Sequence, residues 1–189
     1  RICLVGSEMC IRDRIEAGYG RDYRLMLDEI RETMRQPGVV AEQLKGRDLK
    51  LAGFVWFQGW NDQYGGAETE YEQNLRNFIR DVRRDLDAPR LPFVIGVMGQ
   101  NGAQPAKGAM LAIQQAQAAV GDMPGVAAVR TDALEDAAAA KLYPEWKQRF
   151  EEWERTGSDH RYHYLGSAIW FSRIGFALGD ALIRLGDKR

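Results

Sequence analysis

The chain is 189 residues long, which accommodates one domain with a sizeable core and leaves little room for a second. With 45% apolar and 28% charged residues, its composition is ordinary for a globular protein. Because 26 basic side chains stand against 27 acidic ones, and no apolar run reaches the roughly 18 residues of a membrane span, we predict neither a nucleic-acid partner nor a membrane span.

The first segment, residues 1–14, resembles an artefact rather than a folded sequence. Its run LVGSEMCIRDR corresponds to one reading frame of a transposon-end sequencing adapter. We interpret residues 1–14 as translated adapter and residues 15–189 as the C-terminal part of a single domain whose natural N-terminus is missing. On this interpretation Cys3 and Cys10 drop out, and no disulfide or metal-thiolate signal remains.

Helical patterns recur along the remaining chain. Periodicity or composition predicts helices over Asp22–Arg35, Tyr71–Leu86, Lys107–Val120, Asp132–Arg155 and Ser167–Leu185. The first of these ends at Pro37-Gly38. The second follows a capping-box pattern at Thr69–Glu72, and the last carries an amphipathic stripe with Ser167 as its cap.

Short apolar runs between these helices predict strands at 51–57, 93–99 and 125–131. We expect the first two to be buried on both faces. Strands separated by helices imply crossover connections, and therefore a parallel sheet with helices on both faces. Since ligands bind beyond the carboxyl ends of such strands, the residues from Gln58 to Asp62 and the loop after Gly99 are predicted to lie on the functional rim.

The first strand runs into the polar sequence Gln58-Gly59-Trp60-Asn61-Asp62. Polar groups buried without partners cost a few kcal/mol each, so a strand end of this kind indicates a site. The Asn61 carboxamide can donate to a developing oxyanion, which is typically worth about 3 to 4 kcal/mol, and Gly59 lets the backbone approach a substrate. The alternative is a simple turn in which Asn61 and Asp62 serve as turn formers.

The chain's two histidines, His160 and His163, lie in the segment SDHRYHYLGSA before the last helix. A rim histidine is a candidate general base because an imidazole exchanges protons near neutral pH, and Asp159 can orient His163 as a triad acid does. Loop residues without a role are the alternative. Asp159, His160 and His163 also offer metal ligands, but no further His or Cys completes a shell, so we predict no metal.

Longer stretches carry a family resemblance. The runs KLAGFVWFQGWND, NFIRDVRRDLDAPRLPFVIGVMG and RYHYLGSA resemble the sialate O-acetylesterase group of carbohydrate esterases, within the SGNH-hydrolase superfamily. The resemblance extends from about Tyr19 to the C-terminus. It implies a three-layer α/β/α, flavodoxin-like parallel sheet that lacks its first strand or strands here. It also implies removal of acetyl groups from sugar hydroxyls without metal or organic cofactor.

The resemblance implies roles for individual residues. Asn61 corresponds to the side-chain oxyanion donor and His163 to the general base. Gln58 corresponds to the glutamine of the family's W-x-Q-G pattern. The remaining motif positions, predicted to bind the oxyanion or substrate, are Gly59, Trp60 and Asp62.

The departures from the family pattern concern the nucleophile and the acid. The family's serine belongs to a G-x-S-N-M motif, which the chain lacks: the sequence around Ser7 has no Asn and lies in the adapter-like run. Ser158 and Ser172 stand in other contexts, and neither Gly18 nor Gly20 has the surroundings of the family's second motif. The family acid precedes the base by three residues, where this chain has a histidine, so Asp159 is the nearest candidate.

We therefore expect the C-terminal part of a serine-type acetylesterase that acts on an acetylated carbohydrate and is inactive without its nucleophile. The resemblance implies a bacterial, secreted or periplasmic enzyme. The alternative is a non-catalytic sugar-binding or scaffolding domain of the same fold. In either case Trp60, Tyr64 and Tyr162 can stack on sugar rings. A nucleotide-binding domain is disfavoured because no G-x-G-x-x-G follows a predicted strand.

Overall fold

A computed structural model describes residues 20–159 and 162–187. The helices are α1 (Arg21–Arg35), α2 (Pro37–Val40), α3 (Tyr71–Asp85), α4 (Gly108–Ala119), α5 (Ala137–Leu142), α6 (Phe150–Trp153) and α7 (Ala168–Gly186). The strands are β1 (Phe54–Trp56), β2 (Phe93–Val97) and β3 (Val126–Arg130). None of the helices in these ranges combines the length and apolarity that crossing a membrane requires.

The three strands form one parallel sheet in the order β1-β2-β3. Phe93 of β2 pairs with Phe54 on one side and with Val126 on the other. The connection from β1 to β2 contains α3, and the connection from β2 to β3 contains α4. The predicted parallel sheet of an α/β/α fold is confirmed, and its carboxyl ends lie together at one rim.

The two faces of the sheet are covered by different helices. On one face, α3 and α4 contribute Leu75, Phe78 and Ile113 to a core that also contains Phe93 and Ile95. On the other face, α7 packs across β2 and β3 through a stripe of buried residues, Trp170, Ile174, Leu178 and Ala181. This stripe confirms the predicted amphipathic helix, and Ser167 caps it by accepting a hydrogen bond from the Trp170 N–H at 3.2 Å.

Strand β1 is an edge strand, so the prediction that it is buried on both faces was wrong. Val55 is 43% exposed and Phe57 is 37% exposed. The physical reason is that α7 packs against β2 and β3, while none of the described strands pairs with the other edge of β1. An aromatic-rich run has the composition of a buried strand, but its burial depends on neighbours. That the sheet lacks a first strand stays a prediction.

Two further details differ from the sequence-based expectations. The prediction of a capping box before α3 was wrong. Glu70 is the N-cap and forms no side-chain hydrogen bond there, and the Thr69 hydroxyl donates to the Gly66 carbonyl instead. The segment 132–155 is also not one helix. It breaks into α5, α6 and short 3-10 turns, with Asp136 capping α5 through the N–H groups of Ala138 and Ala139.

Candidate active site

A cavity of about 420 Å³ opens where β1 and β2 end. Three segments meet there: the polar sequence after β1, the loop after β2 and the turn before α7. The lining residues are Phe57, Gln58, Gly59, Trp60, Asn61, Met98, Gln100, His163, Tyr164 and Phe171. The cavity therefore brings together Asn61 and His163, which the sequence analysis singled out in distant parts of the chain.

The polar sequence after β1 folds into a 3-10 turn, Trp60–Gln63, which the chain enters through Gly59. Gly59 has a φ of 150°, and a Cβ atom there would lie 2.9 Å from the Gln117 side-chain nitrogen. Glycine is therefore required by both backbone and space. The turn exposes Asn61 at the cavity and directs Asp62 inward, where it is only 1% exposed.

Asp62 supports this turn from inside and is not among the cavity-lining residues. Its carboxylate accepts a hydrogen bond from Gln58 Nε2 at 2.5 Å. Burial raises the pKa of Asp62, and the bond from Gln58 opposes that rise. The geometry thus gives Asp62 a supporting position, whereas the sequence predicted that it contacts substrate.

Two buried glutamines of α4 hold the ends of β1 and β2 in place. The Met98 N–H donates to Gln117 Oε1 at 2.7 Å, and Gln117 Nε2 donates to the Gln58 carbonyl at 2.6 Å and to the Tyr71 hydroxyl at 3.0 Å. Gln114 Nε2 donates to the Met98 carbonyl at 2.7 Å. Sequence reasoning missed this network; the signal was a pair of glutamines three residues apart in a helix that packs on a core.

His163 lies in contact with aromatic rings at the cavity. Its imidazole meets the Trp60 ring edge-on, with centroids 5.7 Å apart, and the Tyr162 ring at 4.5 Å. The chain then turns sharply through Tyr164 and Leu165, which have φ values of 52° and 58°. Such values are unfavourable for residues with side chains and occur where the surroundings impose them.

The Tyr164 hydroxyl anchors this turn to the strand ends. It accepts a hydrogen bond from the Gly99 N–H at 3.0 Å and lies 2.8 Å from Thr131 Oγ1. Since Thr131 donates its own proton to the Val97 carbonyl, Tyr164 is the donor to Thr131. Burial raises the pKa of Tyr164 to about 12, so the hydroxyl stays protonated near neutral pH. Because Tyr164 directly follows His163, these hydrogen bonds hold the segment that carries His163 against the ends of β2 and β3.

The remaining residues considered in the sequence analysis, where the structure describes them, are not found in the cavity lining. Asp159 is exposed and is not part of the cavity lining. His160 and Ser7 lie outside the described residues. Within the described ranges, no group of three His, Cys, Asp or Glu side chains is placed to hold a metal ion.

None of the serines in the described residues lines the cavity. Ser167 is fully buried, and its hydroxyl donates to Asp136 Oδ2 at 2.6 Å while capping α7. That position fits the structural role predicted for it. Ser158 and Ser172 are outside the lining as well.

Gln100 is a lining residue that sequence reasoning did not single out. Its Oε1 atom is buried and has no hydrogen-bond partner among the described residues. The neighbouring carboxamide Gln114 cannot serve it, because both N–H groups of Gln114 go to the Met98 carbonyl and Asn101 Oδ1. Gln100 therefore differs from the saturated glutamines of α4.

Comparison with known proteins gives one family. The model of the family described as carbohydrate esterase, sialic acid-specific acetylesterase, matches residues 5–143. This range contains the turn sequence from Gln58 to Asp62 and ends before His163. Among solved structures, a protein from Arabidopsis thaliana aligns at 21% identity with a TM-score of 0.48. The alignment covers 60% of this chain and 41% of that chain. No curated protein matches.

Proposed function

Since this chain belongs to the sialic acid-specific acetylesterase family of carbohydrate esterases, we propose that it is the C-terminal part of a serine-type carbohydrate O-acetylesterase whose active site is the cavity at the ends of β1 and β2. The observation that carries the proposal is that Asn61 and His163 line that one cavity. A side-chain amide donor and an imidazole at one site are two of the parts that acyl transfer requires.

The proposed reaction has two halves. A serine hydroxyl from outside the described residues attacks the acetyl carbonyl carbon, and His163 takes the serine proton. The Asn61 amide donates a hydrogen bond to the oxygen that becomes negatively charged. The tetrahedral intermediate collapses, the sugar oxygen leaves with the proton from His163, and His163 then activates a water molecule that releases acetate from the serine.

Asp159 is the proposed partner that orients the His163 imidazole. It precedes His163 by four residues in the same segment, and its exposure allows solvent to screen the interaction. Asp159→Asn is therefore expected to lower kcat by about 10- to 100-fold, less than the roughly 10,000-fold effect of a buried triad acid. An unchanged kcat would remove Asp159 from the mechanism.

The proposal places the nucleophile outside the described part of the chain, because none of the described serines reaches the cavity lining. Since Ser7, which lies outside the described residues, also lacks the family's G-x-S-N-M motif, the 189-residue chain is expected to release no acetate from an acetylated sugar. Turnover by this chain alone would place the nucleophile within it. That the enzyme is bacterial and is secreted or periplasmic belongs to the same proposal, since both statements rest on the resemblance alone.

The test is acetate release from an O-acetylated sugar by the parent gene product with its upstream sequence restored. His163→Ala should lower kcat/KM by at least about 1,000-fold, because the serine loses its base. His160→Ala is the matched control and should retain most activity. If the parent releases no acetate but binds the sugar, the non-catalytic sugar-binding alternative replaces the esterase.

A further inference from the structure

Two aromatic side chains flank His163, and they form the aromatic patch: Trp60, which lines the cavity, and Tyr162, which lies outside the lining and contacts the rings of Trp60 and His163. Their ring centroids are 6.4 Å apart and their planes are inclined by 33°. His163 contacts both rings, at 5.7 Å for Trp60 and 4.5 Å for Tyr162. The patch is therefore built around the imidazole.

Trp60 is held firmly on one side and open on the other. It packs against the core of α3 and α4, and its carbonyl accepts a hydrogen bond from Gln63 Nε2 at 2.9 Å, which fixes the turn. It also lines the cavity. An aromatic ring fixed in this way presents contact area to a ligand at little cost in conformational entropy.

Tyr162 remains 54% exposed beside Trp60. Aromatic rings with a polar end are favoured where one side is apolar and the other is wet, which describes the mouth of a cavity. A pyranose ring matches such a surface, because its C–H groups project from the ring faces while its hydroxyls point outward to water. An acetyl group offers only one methyl and is too small to cover two rings.

We propose that the aromatic patch is a carbohydrate subsite that holds the pyranose ring bearing the acetyl group, with the ester reaching into the cavity past His163. This subsite rests on the proposed function for the orientation of the ester, but sugar binding itself requires no hydrolysis. The ligand class is a pyranose with free hydroxyls, rather than a simple alkyl acetate.

The test is a binding titration of the 189-residue chain with an O-acetylated methyl pyranoside, and separately with ethyl acetate as a probe that lacks the sugar. Tyr162→Ala should weaken pyranoside binding by about 3- to 10-fold, as expected for loss of one aromatic contact. Tyr162→Phe retains the ring and should bind within about 2-fold of the wild type. Ethyl acetate binding should not change in either variant.

Tyr64→Ala is the matched control. Tyr64 is 65% exposed and follows the same turn as Trp60. Unlike Tyr162, its ring contacts neither Trp60 nor His163 in the described residues, so the structure leaves it outside the aromatic patch although the sequence allowed it a stacking role. Its loss should leave pyranoside binding unchanged. The subsite is contradicted if Tyr64→Ala weakens binding as much as Tyr162→Ala, if Tyr162→Ala weakens both probes equally, or if the wild-type chain does not bind the pyranoside.

The result is separable from the fate of the proposed function. Pyranoside binding that depends on Tyr162, together with a parent enzyme that releases no acetate, would retain the subsite and reject the esterase. If the parent releases acetate but Tyr162→Ala does not change pyranoside binding, the esterase would be retained and the subsite rejected.

Discussion

The carboxamides beneath the cavity differ from two of those that line it, Asn61 and Gln100. Below, Gln117 uses both ends of its side chain within the fold: it accepts from the Met98 N–H and donates to the Gln58 carbonyl. At the cavity, Asn61 is exposed, and Gln100 Oε1 has no partner among the described residues. A saturated carboxamide cannot bind a substrate without losing a bond of the scaffold, so the difference separates supporting side chains from those available for chemistry.

Among the carboxamides, the largest expected effect concerns Asn61. Asn61→Ala in the parent enzyme should lower kcat by about 100-fold or more, because one donor to the oxyanion is lost. Stability should not change, since the side chain is exposed. Kinetics with an acetylated sugar check the fall in kcat, and thermal unfolding checks that stability is unchanged.

Asn101→Ala is a control from the same rim. Asn101 Nδ2 donates to the Gly102 carbonyl at 3.2 Å and to the Gln104 carbonyl at 2.5 Å, so the variant should lose stability while retaining kcat. Wild-type turnover by Asn61→Ala would reduce Asn61 to a turn former.

The next effect concerns the saturated network. Gln117→Leu leaves the Met98 N–H without its acceptor and removes a donor from the Gln58 carbonyl. The Gln58 carbonyl keeps the Tyr71 hydroxyl as a donor at 3.0 Å, so the Met98 N–H is the buried group left unpaired. A buried group without its partner costs about 1 to 3 kcal/mol, and the free energy of unfolding should fall by that amount. Chemical denaturation measures it, and a fall below about 1 kcal/mol would contradict the role assigned to this network.

A smaller effect concerns Asp62. Burial raises its pKa above the ordinary value of 3.8, so the folded state holds the proton to a higher pH than the unfolded state does. The contribution of Asp62 to stability is therefore complete below pH 3.8 and declines as the pH rises through the folded pKa.

The side chain of Asp62→Asn does not titrate. As the pH rises from about 4 to about 7, the wild type should therefore lose stability relative to this variant. Denaturation of both proteins at the two pH values measures the difference. A loss of stability by Asp62→Asn relative to the wild type over that interval would contradict a raised pKa.

The smallest effect is expected at Gln100. Because Oε1 is buried and forms no hydrogen bond with the described residues, Gln100→Leu removes an unpaired polar atom and should not lower the free energy of unfolding by more than about 0.5 kcal/mol. Unfolding of Gln100→Leu and Gln117→Leu under the same conditions compares the two kinds of carboxamide directly. Equal destabilisation would remove the distinction between lining and support.

The sequence predicted the features of the fold that depend on local pattern. The helices α1, α3, α4 and α7 and the buried strand β2 follow from periodicity or from a continuous apolar run. The exposure of β1 was not predictable, because its composition resembles that of a buried strand and only tertiary neighbours decide burial. The single helix expected over 132–155 failed because alanine and charged residues favour helix without specifying a continuous buried face.

The site could be predicted where polar residues interrupt an apolar strand, which led to Asn61, and where a histidine precedes the last helix, which led to His163. The side chains that support the site could not be predicted. Gln114 and Gln117 lie in an Ala/Gln-rich stretch, where glutamine is usually exposed, and their burial becomes evident only when α4 packs against the strand ends. The anchoring hydroxyl of Tyr164 likewise depends on contacts from three segments distant in sequence.

The central claim is that one ligand contacts the carboxamide of Asn61 and the imidazole of His163 together. The most direct measurement is an NMR titration of the 189-residue chain with an O-acetylated methyl pyranoside, following the side-chain signals of both residues. We predict that both sets of signals shift along the titration with one shared dissociation constant. Shifts at one residue without the other, or two different dissociation constants, would contradict a common site.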